Sequence, residues 1–389
     1  MAALPGLSYE TLVQAPGRKS VAERFMKGLL DKADIGINGD RPWDMRINDL
    51  GVADRLFSQG TLGLGEAYMD GEWDVEELDV FFCRILRARV DREVHPVSLI
   101  PHIMRSRFLN LQNMRRAWQV GRVHYDLGND FYEAMLDPRM TYTCAYWKSA
   151  STLAQAQDAK LALICRKLGL KPGMRVLDIG CGWGSFMGYA TQHYGVTCVG
   201  VTISKAQAEW ARRRYPNPAL EFRLQDYRET SGQFDRIVSI GMFEHVGRKN
   251  HRTFVEMAHR CLADDGLFLL HSIGQNERST VTNPWIHKYI FPNGDLPSLA
   301  HIGDAVQNLF VVEDVHSFGA DYDRTLMAWH ANFEAAWPRF SDQLGERFRR
   351  MWRYYLLSCA GAFRARDLQL WQCVLSKQGV PGGYSRLSE

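Results

Sequence analysis

Met174-Arg-Val-Leu-Asp-Ile-Gly-Cys-Gly-Trp-Gly184 decides the fold of this chain. An apolar run (Met174, Val176, Leu177, Ile179) leads into Gly180, Gly182 and Gly184, with Asp178 just before them. Such a run reads as a buried parallel strand. Glycines at alternate positions let the backbone turn sharply and approach a ligand closely, because no Cβ intervenes. Helical sequence follows from Ser185. Strand, glycine turn and helix in this order hold a nucleotide-like cofactor at the carboxyl end of a sheet.

Two cofactor classes use such a turn. Dinucleotide binders want G-x-G-x-x-G and an acidic residue about 20 positions on for the ribose. Here the third glycine falls one position early, and the next apolar strand, Val196 to Val201, ends in Thr202 with no acid nearby. D-x-G-x-G-x-G resembles instead the first motif of S-adenosylmethionine (SAM) methyltransferases. The plainer reading is a glycine turn without a ligand, and the length and context of the motif weigh against it.

The rest of the chain fits an α/β fold with a doubly wound, Rossmann-like sheet. Strands are predicted at 174–178, 196–202, 219–224, 235–241 and 266–273, with helices near 185–194, 204–214 and 250–262. Alternation of this kind implies a parallel sheet covered by helices on both faces. Further on, 310–318 reads as a strand and 344–375 as helix. Residues 1–123 are helix-rich, lack a cofactor motif, and are expected to form a smaller N-terminal domain before a catalytic domain at 124–389.

Composition narrows the class. The 389 residues are 46% hydrophobic and 23% charged, as in a soluble globular protein, and allow two domains. A net charge of +3 and the lack of a basic recognition module argue against a nucleic-acid partner. The eight cysteines form no C-x-x-C pair, so they read as reduced core residues with no metal site. No apolar run approaches a membrane span and no leader is evident, so a cytoplasmic protein is expected. Residues 94–125 carry Arg105, Arg107, Arg115, Arg116 and Arg122 without any Asp or Glu. Apolar side chains lie among them at helical spacing. This stretch could lie on an anionic membrane or pack its apolar face inside the protein.

Ligands of doubly wound folds bind at the carboxyl ends of strands. Gly241-Met-Phe-Glu-His-Val-Gly247 and His271-Ser-Ile-Gly274 are too polar there for plain core. The segment His124 to Trp147 is dense in aromatics, which attract a sulfonium cation, although rings packed as core are the bland alternative.

At this point a resemblance becomes specific. HYDLGNDFYEAMLDPRMTYTCAYW, VLDIGCGWG, GVTISKAQ, GMFEHVG, LLHSIG, YIFPNGDLPS, FGADYDRTLMAW and CAGAFRARDLQLWQ, in this order, resemble the cyclopropane-fatty-acyl-phospholipid synthase family. GTLGLGEAYMDGEW extends the resemblance into the N-terminal part. It implies methylene transfer from SAM to the cis double bond of an unsaturated acyl chain in a membrane phospholipid. The route is a carbocation, deprotonated by bound bicarbonate. The bicarbonate set of the family falls on Cys144, Glu244, His271, Ile273 and Tyr322, and the SAM set on Tyr142, Gly180, Gly182, Thr202, Gln207, Gln225 and Asp226. Asp178 supports the turn. Thr202 and Gln207 stand where many SAM enzymes carry a ribose-binding acid, and Asp226 could accept from the adenine amino group.

The resemblance also implies peripheral contact with the inner face of the cytoplasmic membrane and a homodimer. The chemistry is coherent: Glu244 can accept from a bicarbonate hydroxyl, and His271 and Tyr322 can donate. At Cys144 the backbone N–H is expected to matter more than the sulfur. A related SAM enzyme that leaves a methyl branch or a methylene shares the carbocation and stays open. So does a lipid-binding module with a dead pocket, which the presence of Glu244, His271 and Tyr322 weighs against.

Overall fold

The computed structural model of the chain describes residues 18–93, 128–278 and 283–386. The basic stretch 94–125 and the first residues of the aromatic segment, 124–127, lie outside the described residues.

The N-terminal part comprises α1 (Arg18–Lys32), α2 (Gly51–Gln59), α3 (Thr61–Met69) and α4 (Leu78–Arg87). A short antiparallel pair, β1 (Arg46–Ile47) and β2 (Trp73–Asp74), ties them together. Next come α5 (Asn129–Met135) and α6 (Leu153–Lys167). Helix α6 starts on a capping box in which Thr152 and Gln155 satisfy each other's N–H groups.

The sheet then builds up as β3 (Arg175–Ile179), α7 (Ser185–Tyr194), β4 (Thr197–Thr202), α8 (Lys205–Arg214), β5 (Leu220–Leu224), β6 (Phe234–Ile240), α9 (His251–Cys261) and β7 (Leu262–Gln275). After it follow α10 (Pro284–Tyr289), α11 (Leu299–Val306), β8 (Val311–Ser317), α12 (Ala320–Ala336), α13 (Ser341–Arg364) and β9 (Leu368–Ser376). The seven strands lie in the order β5-β4-β3-β6-β7-β9-β8. The order reverses between β3 and β6, which opens a crevice at their carboxyl ends.

Two expectations need correction. The sheet is mixed: β9 runs antiparallel to both β7 and β8. And the helix expected over 344–375 ends at Arg364, while Leu368–Ser376 is strand β9. Arg366, at φ +63°, breaks the helix. Strand β9 lies between two neighbours and is buried on both faces, so its apolar run carries no period-two signature. Such a run cannot be told from buried helix by periodicity alone.

Residues of the N-terminal helices share one apolar core with α5, α10, α12 and α13, in which Trp73 and Phe81 join Trp285, Trp329 and Trp352. Two glycines let the helices approach. A Cβ on Gly361 of α13 would sit 2.5 Å from the Asp79 carbonyl oxygen on α4. One on Gly65 of α3 would sit 2.4 Å from the Trp285 ring on α10. Glu66, next in α3, accepts from Lys288 Nζ at 2.6 Å and Tyr289 Oη at 2.8 Å. The motif GLGEAYM thus fastens the N-terminal helices to the insertion that follows β7. No helix among the described residues is long and apolar enough to cross a membrane.

Candidate active site

The three glycines after β3 have different reasons to be glycine. All have positive φ, at +84°, +54° and +82° for Gly180, Gly182 and Gly184. A Cβ on Gly180 would strike Met242 at 2.6 Å, and one on Gly184 would strike Phe222 at 2.7 Å. A Cβ on Gly182 would meet nothing within 4 Å. Packing therefore demands the outer two, while the middle one faces open space on the wall of a large cavity. The Val201 carbonyl oxygen pins the turn by accepting the N–H groups of Gly180 (2.9 Å) and Cys181 (3.1 Å).

The cavity holds about 1190 Å³ and lies over the crevice between β3 and β6. Its wall includes twelve of the thirteen residues singled out from the sequence: Tyr142, Asp178, Gly180, Gly182, Thr202, Gln207, Gln225, Asp226, Glu244, His271, Ile273 and Tyr322. Cys144 is fully buried behind the wall, and its thiol donates to the Ala145 carbonyl oxygen at 3.2 Å. Burial holds that thiol well above its ordinary range, so it stays neutral.

On the glycine-turn side, Thr202 Oγ1 accepts the Ser204 N–H at 3.1 Å and lies 3.3 Å from Gln207 Oε1. The Asp226 carboxylate accepts the Arg228 N–H (3.0 Å) and pairs with Arg228 Nη1 (2.8 Å). One lone pair on each oxygen remains for a ligand. Asp178 is buried at the end of β3, and burial raises its carboxyl to about 7. Trp183 of the turn donates from Nε1 to Asn129 Oδ1 at 2.9 Å, and its ring lies 5.1 Å from that of Tyr132. The aromatic segment thereby packs on the turn. Tyr142 lies among Tyr132, Trp329 and Tyr355, its hydroxyl 3.0 Å from the Tyr355 hydroxyl.

On the opposite side, Glu244 stands in the short turn after β6 and His271 on β7. Glu244 Oε1 accepts the Ile273 N–H at 2.6 Å, while Oε2 is buried without a partner. Burial raises this carboxyl from 4.5 to about 7. His271 lies directly across from Gln372 on β9, with Nδ1 3.2 Å from Gln372 Nε2. Its Nε2 is buried without a partner, and burial pushes its pKa well down, so the ring is neutral. Tyr322 of α12 packs its ring on Phe363, 4.6 Å away, and burial keeps its phenol protonated. Two orphaned polar atoms, one an acceptor as carboxylate and one on a neutral imidazole, share the wall with a phenol. That donor set fits a small group that both donates and accepts hydrogen bonds, as bicarbonate does.

Three features escaped the sequence reading. Gln372 is fully buried behind His271, and Lys160 of α6 is fully buried on the cavity wall. Neither stood out in the sequence, because the strand that carries Gln372 was read as helix and the helix that carries Lys160 was not assigned. The third is the extent of the cavity. Its wall continues onto Met26, Leu29, Leu56, Phe81, Phe82 and Ile85, so the N-terminal helices line it too. No motif marks that apolar lining.

Comparison with known proteins gives the family. The profile of the family described as mycolic acid cyclopropane synthetase matches residues 112–373. The cyclopropane-fatty-acyl-phospholipid synthase of Escherichia coli K12 is 53% identical over 361 residues, covering 92% of this chain and 94% of its own. Cyclopropane mycolic acid synthase 1 of Mycobacterium tuberculosis is 37% identical, over 69% of this chain and 95% of its own. A solved mycolic acid cyclopropane synthase complexed with SAH and CTAB superposes with a TM-score of 0.63 at 36% identity, covering 67% of this chain and 98% of its own. A coclaurine N-methyltransferase shares the fold, with a TM-score of 0.66 at 24% identity. The chain belongs to the cyclopropane-fatty-acyl-phospholipid synthase family, enzymes of the SAM-dependent methyltransferase class.

Proposed function

We propose that this enzyme transfers a methylene group from SAM to the cis double bond of an unsaturated acyl chain in a bilayer phospholipid and closes a cyclopropane ring. The observation that carries the reading is the pair of orphaned buried atoms, Glu244 Oε2 and His271 Nε2, on a cavity that runs from the glycine turn to apolar N-terminal helices. A SAM site alone has no need of them.

The alkene π pair forms the bond to the methyl carbon, and the S–C pair stays on sulfur. The acyl chain becomes a methylated carbocation. Loss of a proton from the added methyl leaves its electron pair to close the ring. Bicarbonate bound beside Glu244, His271 and Tyr322 would supply the base. The protein groups themselves are poor bases or nucleophiles in this setting. The Tyr322 phenol and Cys144 thiol stay protonated, so neither intercepts the cation. Glu244 as a carboxylate orients an O–H donor, and His271 and Tyr322 offer donors to an anionic oxygen. The aromatic wall around Tyr142 faces positive charge without a nucleophile.

Reaching a lipid still in its bilayer calls for peripheral membrane contact, to which the arginines of 94–125 would contribute. The test is incubation with SAM and vesicles of unsaturated phospholipid, followed by acyl-chain analysis. A cyclopropane fatty acid is the expected product. SAM binding without any change in the acyl chains would contradict the proposal.

A further inference from the structure

Lysine is almost never fully buried without a partner for its charge. Lys160 is fully buried and is one of the residues that line the cavity. Among the described residues its one hydrogen-bond partner is the neutral Thr143 hydroxyl, at 2.9 Å. No carboxylate oxygen of the described residues comes within ion-pair distance. Asp137 and Asp178 are the carboxylates whose charge it feels. The two oxygens of Asp137 accept the N–H groups of Thr141 (2.7 Å) and Arg139 (2.9 Å), and neither is bonded to the Lys160 ammonium. Asp178 is itself pushed toward its neutral form by burial.

The fold invests in this placement. Gln157, one turn earlier on α6, is also fully buried and donates to the Thr143 carbonyl oxygen at 2.9 Å. Two polar side chains from one helix face thus grip Thr143, between Tyr142 and Cys144. The field of Lys160 reaches Cys144 and His271 on the proposed base side and Asp178 at the glycine turn. A packing role would be served better by an apolar side chain of the same length, because a buried ammonium without an anion is unfavourable.

We propose that Lys160 is the cationic anchor of an oxyanion bound in the cavity. This rests on the proposed function and extends it. Two sources share that chemistry: bicarbonate beside His271, and the carboxylate of the methionyl end of SAM.

The experiment measures equilibrium binding to the full-length protein and to Lys160→Met and Lys160→Arg. Three probes are used: S-adenosylhomocysteine, methylthioadenosine (which lacks the carboxylate) and ¹³C-labelled bicarbonate. Lys160→Met is expected to weaken one oxyanion by about 10-fold or more, the scale of a lost charge-assisted hydrogen bond. Lys160→Arg should restore most of it, and methylthioadenosine should bind all three proteins alike. Loss of bicarbonate with S-adenosylhomocysteine unchanged assigns the first source. Loss of S-adenosylhomocysteine with bicarbonate unchanged assigns the second. Wild-type affinity for both oxyanions in a folded Lys160→Met protein overturns the proposal, whereas a wild-type protein that binds no probe defeats the functional reading instead. If Lys160→Met does not fold, Thr143→Val frees the direction of the ammonium. It must weaken bicarbonate or S-adenosylhomocysteine, and unchanged binding of both also overturns the proposal.

Discussion

The Ile273 N–H donates to Glu244 Oε1 at 2.6 Å, which fixes one carboxylate oxygen and leaves the other on the cavity wall without a partner. A side chain held this way is set to receive a hydrogen bond from a ligand, provided it is ionised. Burial holds its pKa at about 7. Turnover should therefore rise as pH increases through about 7. Glu244→Gln should cut it roughly 10²-fold, the scale for losing acid–base function, and should erase that limb of the profile. SAM affinity measured by calorimetry should stay near that of the wild type.

The same shift has a consequence for stability. A carboxyl raised from 4.5 to about 7 by burial is most compatible with the fold when neutral. Its contribution is fully present below about pH 4.5 and is lost progressively as pH rises through about 7. Glu244→Gln keeps an acceptor for the Ile273 N–H and has no charge to bury. Thermal melts of the ligand-free proteins should show the variant gaining on the wild type between about pH 5 and pH 8. A constant difference across that range would mean that Glu244 is already ionised in the folded state.

At Gly182 the expected outcome is loss of cofactor binding. The space beyond its missing Cβ is open, and its φ of +54° strains any other residue by about 1–2 kcal/mol. Gly182→Val should abolish binding of S-adenosylhomocysteine in calorimetry while the protein still melts cooperatively. Near-wild-type affinity would remove this turn from the site.

Gln372 tests the imidazole. When its Nε2 donates to His271 Nδ1, the proton of the neutral ring sits on Nε2, where it can be donated into the cavity. Gln372→Leu should reduce turnover by at least roughly 10-fold with little change in SAM affinity. Gln372→Glu should place a carboxylate beside the ring, raise the His271 pKa and move the pH profile. An unmoved profile in Gln372→Glu would mean that this contact does not govern the ring.

Vesicle sedimentation tests membrane contact. Each arginine near an anionic surface contributes about 1 kcal/mol, and salt weakens it. Changing Arg105, Arg107, Arg115 and Arg116 together to Gln should lower binding to anionic vesicles sharply, with little effect on neutral ones. Unchanged, salt-insensitive binding would assign these arginines to another role.

The glycine turn was legible because strand, turn and the start of the cavity wall are written within eleven consecutive residues. Glu244 and His271 were legible as polar residues at strand ends, and a role came to them only through the family resemblance. Strand β9 was not legible, because burial on both faces removes the alternation that marks a strand. Gln372 was lost with it, since its pairing with His271 exists only once β9 lies beside β7. Lys160 lies between Trp147 and Met174, where no element was assigned from the sequence, and its burial depends on what packs against that face of α6. The apolar lining from α1 to α4 follows from tertiary packing, which no local pattern records.

The most direct test of the central claim uses SAM carrying a trideuterated methyl group, with unsaturated phospholipid vesicles as acceptor. Ring closure removes one deuteron, so the account predicts acyl chains that carry two deuterium atoms and no remaining double bond. Chains with three deuterium atoms would mean a methyl branch, and chains with two on a new exomethylene double bond would mean a methylene product. Either result would contradict cyclopropane formation by this enzyme.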